Sequence, residues 1–204
     1  MLKGFMIEVE KKFKLSEGDL DLLLSGAVFI SEKEFCDVYF DDGLYSLTTN
    51  DIWLRKRGKV FELKLPVSKI RSVDTDQYEE ISDESLIKKF LKLDNALSID
   101  FSIKSRGFFP FCECRTLRRK FKKDEFVIDV DFVNFFDFSY EIAEIELVVS
   151  DKTEISNASD KIHNFAKNFG LKNERVRGKV IEYLYNKKIE HYNALVSSGV
   201  YLDK

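Results

Sequence analysis

The chain is short of the residues that interrupt regular structure, with 2 prolines and 9 glycines in 204 residues. Set beside 19 phenylalanines and 8 tyrosines, that scarcity argues against a disordered or collagen-like chain. Cysteine is scarce and odd in number: Cys36, Cys112 and Cys114. The last two are spaced to point to one face of a strand, so a secreted disulfide framework is not expected and reduced thiols are. Both histidines, His163 and His191, fall in helical segments far along the chain, which leaves zinc short of ligands. No stretch approaches the ~20 apolar residues of a membrane span. Met1–Phe13 carries Glu8 and Glu10 where a signal peptide needs an apolar run. A cytoplasmic protein with no membrane partner is the expectation.

Net charge is also nearly missing. Thirty-three Lys and Arg against 36 Asp and Glu leave −3, although 34% of residues are charged. Phosphate-backbone binders show a basic bias, so nucleic acid is not an expected partner. Balanced charge leaves local arrangement to carry the information. The length fits one domain, residues 1–204, with monomer the favoured state.

What is present is period-2 alternation over the first two-thirds. It predicts strands at Phe5–Leu15, Glu34–Phe40, Asp51–Arg57, Val60–Leu65, Asp76–Ile81, Phe111–Leu117, Phe126–Phe132 and Glu141–Val149. Short hairpin-like links join most of them, and Gly58 suits a tight turn between Arg57 and Val60. Such an antiparallel sheet is able to close on itself. Helical spacing appears at Ser16–Ser25, with Ser16 as cap. It recurs at Ser82–Leu93, with Leu86, Phe90 and Leu93 as the apolar stripe, and at Lys152–Phe169, with Gly170 closing it. The tail Asn173–Ser197 reads as one broken or two consecutive helices. The class is α+β.

The unusual feature is which residues alternate. Glu8/Glu10, Asp129/Asp131 and Glu144/Glu146 are acidic pairs at i and i+2, and Lys12, Arg55, Arg57 and Lys64 form a basic set on similar strands. Like charges side by side on a sheet are destabilising without compensation. Hard carboxylate oxygens are what Mg²⁺ takes, with Mn²⁺ a substitute, and Arg and Lys grip phosphates. One such pair alone is an ordinary solvated strand face. Repeated opposite clean apolar faces, the pairs describe a charged lumen that takes a metal and a polyanion.

At these residues the chain resembles the CYTH superfamily, the triphosphate tunnel metalloenzymes, and within it the thiamine triphosphatase branch. Ile7-Glu8-Val9-Glu10-Lys11-Lys12-Phe13 is similar to the signature Glu-x-Glu-x-Lys segment, and Asp37-Val38-Tyr39-Phe40-Asp41 to the Asp-x-Tyr-Tyr-Asp segment after it. Ile52-Trp53-Leu54-Arg55-Lys56-Arg57 resembles the Trp-Leu-Arg-x-Arg strand, and Phe61 to Pro66 the strand that follows. The series continues through Glu80, Arg115, both late acidic pairs and Lys179.

The resemblance implies a closed eight-stranded antiparallel β-barrel, a triphosphate tunnel, with helices packed outside and a C-terminal helical tail. It implies Mg²⁺-dependent hydrolysis of a small-molecule triphosphate, thiamine triphosphate favoured, to thiamine diphosphate and phosphate. Glu8, Glu10, Asp129, Glu144 and Glu146 become the metal side, with Asp131 nearby. Lys12, Arg55, Arg57, Lys64, Arg115 and Lys179 become the substrate grip. Lys179 alone reads as a solvated helix residue; the resemblance has the tail fold back to plug or cap the tunnel. Glu62, Glu80 and Arg119 are candidates for orienting water or supporting the site. Glu10, and Lys12 with Tyr39, are candidate catalytic groups, the lysine requiring a depressed pKa to act as base. Trp53 shares a face with Arg55 and Arg57, where it either stacks on a thiazolium ring or plugs one mouth of the barrel.

There are departures from the family pattern. Asp42-Gly43-Leu44-Tyr45 replaces the usual turn, and Arg115–Lys120 is more basic than the branch leads one to expect, with Arg119 placed on the Arg115 face. Phe132, Phe135, Phe136 and Phe138 are expected in the core. Rival functions are a general tripolyphosphatase or nucleoside triphosphatase, an adenylyl cyclase, and a non-catalytic polyphosphate-binding module.

Overall fold

The computed structural model describes residues 6–68 and 75–202. Phe5, the first residue of the first expected strand, lies outside them. The eight strands are β1 (Ile7–Phe13), β2 (Val28–Asp41), β3 (Trp53–Arg57), β4 (Val60–Pro66), β5 (Asp76–Ile81), β6 (Phe109–Lys123), β7 (Phe126–Asn134) and β8 (Ser139–Val149). They close into an antiparallel barrel in the order β1-β5-β4-β3-β2-β6-β7-β8, with β8 paired back onto β1. Strands β2 and β6 run longer than alternation foretold. Their added segments, Val28–Lys33 and Arg118–Lys123, carry charged or apolar runs on both faces and hide the period.

Two tight turns set the register. Gly58, at φ 58°, links β3 to β4 as its glycine suggested. Asp124, at φ 52°, begins the two-residue link from β6 to β7, which places Arg118 opposite Asp131 and Lys120 opposite Asp129.

Among the described residues six α-helices pack around the barrel: α1 (Glu17–Leu24), α2 (Glu84–Leu91), α3 (Ile99–Ser105), α4 (Ile155–Asn168), α5 (Lys179–Lys187) and α6 (Ile189–Ser197). Ser16 caps α1 in a reciprocal pair with Asp19. Helices α1 and α4 bring Leu23, Ile162 and Phe165 onto the outer residues Val9, Ile128 and Ile145. Helices α2 and α3 cover Leu54 and Leu63. The buried face of α2 is Ile87 and Leu91; of the stripe expected at Leu86, Phe90 and Leu93, Leu93 is buried just past the helix, but Leu86 and Phe90 are 45% and 44% exposed. Apolar residues at 86, 87, 90 and 91 make a stripe too wide for one contact, and the barrel takes half of it. Helix α3 was not foreseen; it is short and rests on Ser98 as cap with Ile99 and Ile103 buried.

The tail breaks at Lys188 into α5 and α6. Their Val180, Leu184, Tyr192 and Leu195 pack with Tyr39, Trp53 and Cys114, so the tail plugs one end of the barrel. Leu184 and Leu195 are fully buried, each contributing about 1.5–3 kcal/mol. Of the phenylalanine cluster, Phe135 is in this core and Phe138 packs against it. Phe132 and Phe136 are exposed, because strand alternation and the positive-φ turn at Phe136 turn them outward. The three cysteines are free thiols. Among the described residues no helix is long and apolar enough to cross a membrane.

Candidate active site

Alternation sends one face of each strand into a lumen with a cavity of about 740 Å³. The lining is ordered in rows that run across the strands. Glu146 (β8) lies opposite Glu10 (β1), which lies opposite Asp76 (β5), three acids in line. In the next row, Lys120, Asp129, Glu144 and Lys12 follow one another across β6, β7, β8 and β1. The opposite wall carries Glu62, Arg55 and Tyr39 in one row and Arg57 with Asp37 in another. Lys179, the first residue of α5, reaches in from the plug.

Cations and acids interlock. Lys12 Nζ is 2.5 Å from Glu10, 2.6 Å from Asp76 and 3.9 Å from Glu144. Lys64 bridges Glu8 at 2.9 Å and Glu80 at 2.8 Å. Arg55 donates to Glu62 at 2.6 Å and to Glu80 at 3.1 Å. Arg57 forks onto Asp37 at 2.7 and 2.9 Å, and Lys179 donates to the same carboxylate at 2.9 Å. Arg118 grips Asp131 at 2.5 and 2.6 Å, Glu144 at 3.0 Å, and also Asp129. Lys120 lies 3.1 Å from Asp129 and 3.4 Å from Glu146.

These contacts sort the titrating groups. Burial raises the Glu10 pKa, but Lys12, Lys64 and Arg118 outweigh it and hold the carboxyl below its usual range. Burial lowers the Lys12 pKa, but Asp76, Glu10 and Glu144 push it well above that of a free lysine. Burial leaves the Tyr39 hydroxyl harder to ionise, despite Lys179. Glu144 is raised by burial and by Glu10. Glu146 is pushed up to about 7 by burial and by Asp129, Glu8 and Glu10, against Lys120. On the β1–β8 wall, then, the cations outweigh burial at Glu10, whereas at Glu144 and Glu146 burial and the neighbouring acids outweigh the cations.

Of the sequence-derived candidates, Glu8, Glu10, Lys12, Tyr39, Trp53, Arg55, Arg57, Lys64, Glu80, Glu144, Glu146 and Lys179 line one cavity. Glu62 stands behind Arg55 as its acceptor. Asp129 and Asp131 point inward but are fully covered, held beneath Arg118. Trp53 is fixed by its Nε1 donating to Asp51 at 2.9 Å, and Tyr78 donates to the same oxygen at 2.8 Å. The indole packs in the plug core and also faces the cavity.

Three expectations are corrected. Arg115 and Arg119 point out of the barrel, their side chains 63% and 58% exposed and paired with Glu34 and Glu32. The lumen face of β6 is Cys112, Cys114, Thr116, Arg118 and Lys120, the other parity. The signal was available: counting back from the two-residue turn pairs Arg118 and Lys120 with Asp131 and Asp129. Finally, Lys12 does not have the depressed pKa a lysine base needs, because three carboxylates surround it. Asp37 and Asp76 were also missed as site acids. Each sits at a strand position where its partner cation comes from a distant element.

Residues 6–178 match the family model described as the CYTH domain. The thiamine-triphosphatase of Homo sapiens is 28% identical over 209 residues, covering 94% of this chain and 90% of that protein. Among solved structures, the PH1819 protein from Pyrococcus horikoshii OT3 superposes with a TM-score of 0.60 at 18% identity, covering 89% of this chain and 99% of that one. HpAC1 from Hippeastrum, a protein with a dominant triphosphatase activity, superposes with a TM-score of 0.55 at 16% identity, covering 89% and 96%.

Proposed function

This chain belongs to the CYTH family, and on that premise we propose that it hydrolyses a small-molecule triphosphate inside the barrel, with thiamine triphosphate the favoured substrate. The observation that carries the reading is the lumen itself, where an acidic β1–β8 wall and cations from β1, β3, β4, β6 and α5 share one cavity. The similarity to human thiamine-triphosphatase and the cavity-facing indole of Trp53 support the choice of substrate.

The acidic wall has the chemistry of a Mg²⁺ or Mn²⁺ site. Its donors are all carboxylates, and Glu144 and Glu146 are raised by burial first and then by the neighbouring acids, charge that a bound cation would offset. Among the described residues no three of them converge as a ready cage, since lysine and arginine heads stand between them. Glu8, Glu10, Glu144 and Glu146 would hold the ion. When bound it supplies charge neutralisation and polarises phosphoryl oxygens.

The remaining steps fall to the chain. Arg55, Arg57, Lys64, Arg118, Lys120 and Lys179 bind and orient the phosphates, and their grip tightens as charge shifts to the leaving diphosphate. Lys12 stays an ammonium and acts as a clamp. Tyr39 keeps its proton and serves as a donor. Orienting the attacking water and taking its proton then belong to an acid of the lumen outside the ion's set, with Glu80, which lines the cavity, the candidate.

A second reading, a general tripolyphosphatase or nucleoside triphosphatase, draws on Arg118 and Lys120, which enlarge the cationic wall. Trp53→Ala separates the two. Its kcat/KM should fall for thiamine triphosphate and hold for inorganic tripolyphosphate; an equal loss on both would favour the second reading.

A further inference from the structure

Phe35 interrupts the charged lining of the lumen. It sits on β2 on the same face as Asp37 and Tyr39 and borders the cavity. Three cations from three different elements converge on its ring: Arg57 from β3 at 4.0 Å, Lys179 from α5 at 5.3 Å and Arg118 from β6 at 5.8 Å. Each is also anchored by carboxylates, Arg57 and Lys179 by Asp37, and Arg118 by Asp129, Asp131 and Glu144.

We propose that Phe35 is a positioning residue whose ring holds Arg57, Arg118 and Lys179 as one preassembled cation cluster for the phosphate chain. The proposal rests on the triphosphate reading above. Three like charges at one place repel, and more carboxylates would cancel the very charge that recruits a polyanion. An aromatic face attracts a cation through its quadrupole and lacks the strong lone-pair acceptors with which a carboxylate ties up N–H groups. It therefore gathers the cluster while leaving donors for phosphate oxygens. A leucine would fill much of the same space without that attraction. Nothing in the charge pattern marked Phe35, because the residue is itself uncharged and its three cations come from β3, β6 and α5.

The test separates electrostatics from packing. Phenylalanine carrying one, two and three ring fluorines is placed at position 35, and calorimetry measures binding of inorganic tripolyphosphate to each protein and to wild type. Fluorination drains the negative face of the ring and barely alters its shape. The Kd should weaken with every fluorine, on the order of tenfold across the series, while Tm stays near wild type. Phe35→Leu should weaken binding comparably and Phe35→Trp should restore it. Folded proteins with a Kd flat across the fluorine series, or a Phe35→Leu protein that binds as wild type does, would overturn the assignment. Wild type that binds no tripolyphosphate, with Mg²⁺ or without, would instead overturn the triphosphate reading, and this proposal with it.

Discussion

Arg115 and Arg118 differ by three positions and by which side of the barrel they face. Arg118 is enclosed by Asp129, Asp131 and Glu144, so Arg118→Ala leaves two fully covered aspartates without their main partner. A loss of about 3 kcal/mol in urea denaturation is expected, with kcat/KM on a triphosphate down by about a hundredfold or more. Arg115→Ala removes an exposed pair, so stability should move by less than about 0.5 kcal/mol and activity hardly at all. Similar losses in both variants would contradict the placement. Glu10→Gln should abolish metal-dependent turnover while the circular dichroism spectrum is kept; unchanged turnover would remove Glu10 from the metal set. Glu146 would make the proposed metal site pH-sensitive. With its pKa pushed up to about 7, protons would compete with the ion below neutrality. Apparent Mg²⁺ affinity should fall as pH drops through 7, and in Glu146→Gln it should be weaker and flatter. A wild-type affinity constant between pH 8 and pH 6 would refute this.

At the scale of elements, the C-terminal plug ties the site to the outer fold. Helix α6 docks through His191, whose Nε2 is 2.6 Å from Thr48 Oγ1 and whose ring stacks on Tyr45 at 3.9 Å. Burial, helped by Lys188, lowers its pKa to about 4. An unfolded histidine takes up its proton near 6.5 and the folded one resists, so stability present above 6.5 is lost as pH falls towards 4. Between pH 7 and pH 5 this amounts to about 2 kcal/mol. Urea denaturation at the two pH values should show that loss, and His191→Gln should reduce it; an equal pH dependence in both would rule out His191 as its source. The strands and most helices were legible because a barrel wall buries one face of every strand and leaves a period of two. The long ends of β2 and β6 were not, since Val28-Phe29-Ile30 and Arg118-Arg119-Lys120 have no alternation to read. Helix α3 has only seven residues, too few for a helical period to stand out.

For the molecule as a whole, closure of the sheet turns alternation into function. Glu10 and Glu146 are 136 positions apart and become direct neighbours because β8 pairs back onto β1. The candidate acids, and Arg55 with Arg57, were visible as like-charged pairs at i and i+2, an arrangement a solvated face gives no reason to repeat. What stayed hidden came from elements that cross: Asp76 beneath Lys12, Phe35 among three cations, and the parity of β6, which depends on a turn rather than on a pattern. The central claim is that this lumen splits a triphosphate with the help of a divalent ion. It is tested most directly by phosphate release from thiamine triphosphate, inorganic tripolyphosphate and ATP, each with Mg²⁺, Mn²⁺ or Ca²⁺ and with chelator. The account predicts release that requires Mg²⁺ or Mn²⁺, with the highest kcat/KM on thiamine triphosphate. Binding of these compounds without release of phosphate under any of the three metals would contradict it.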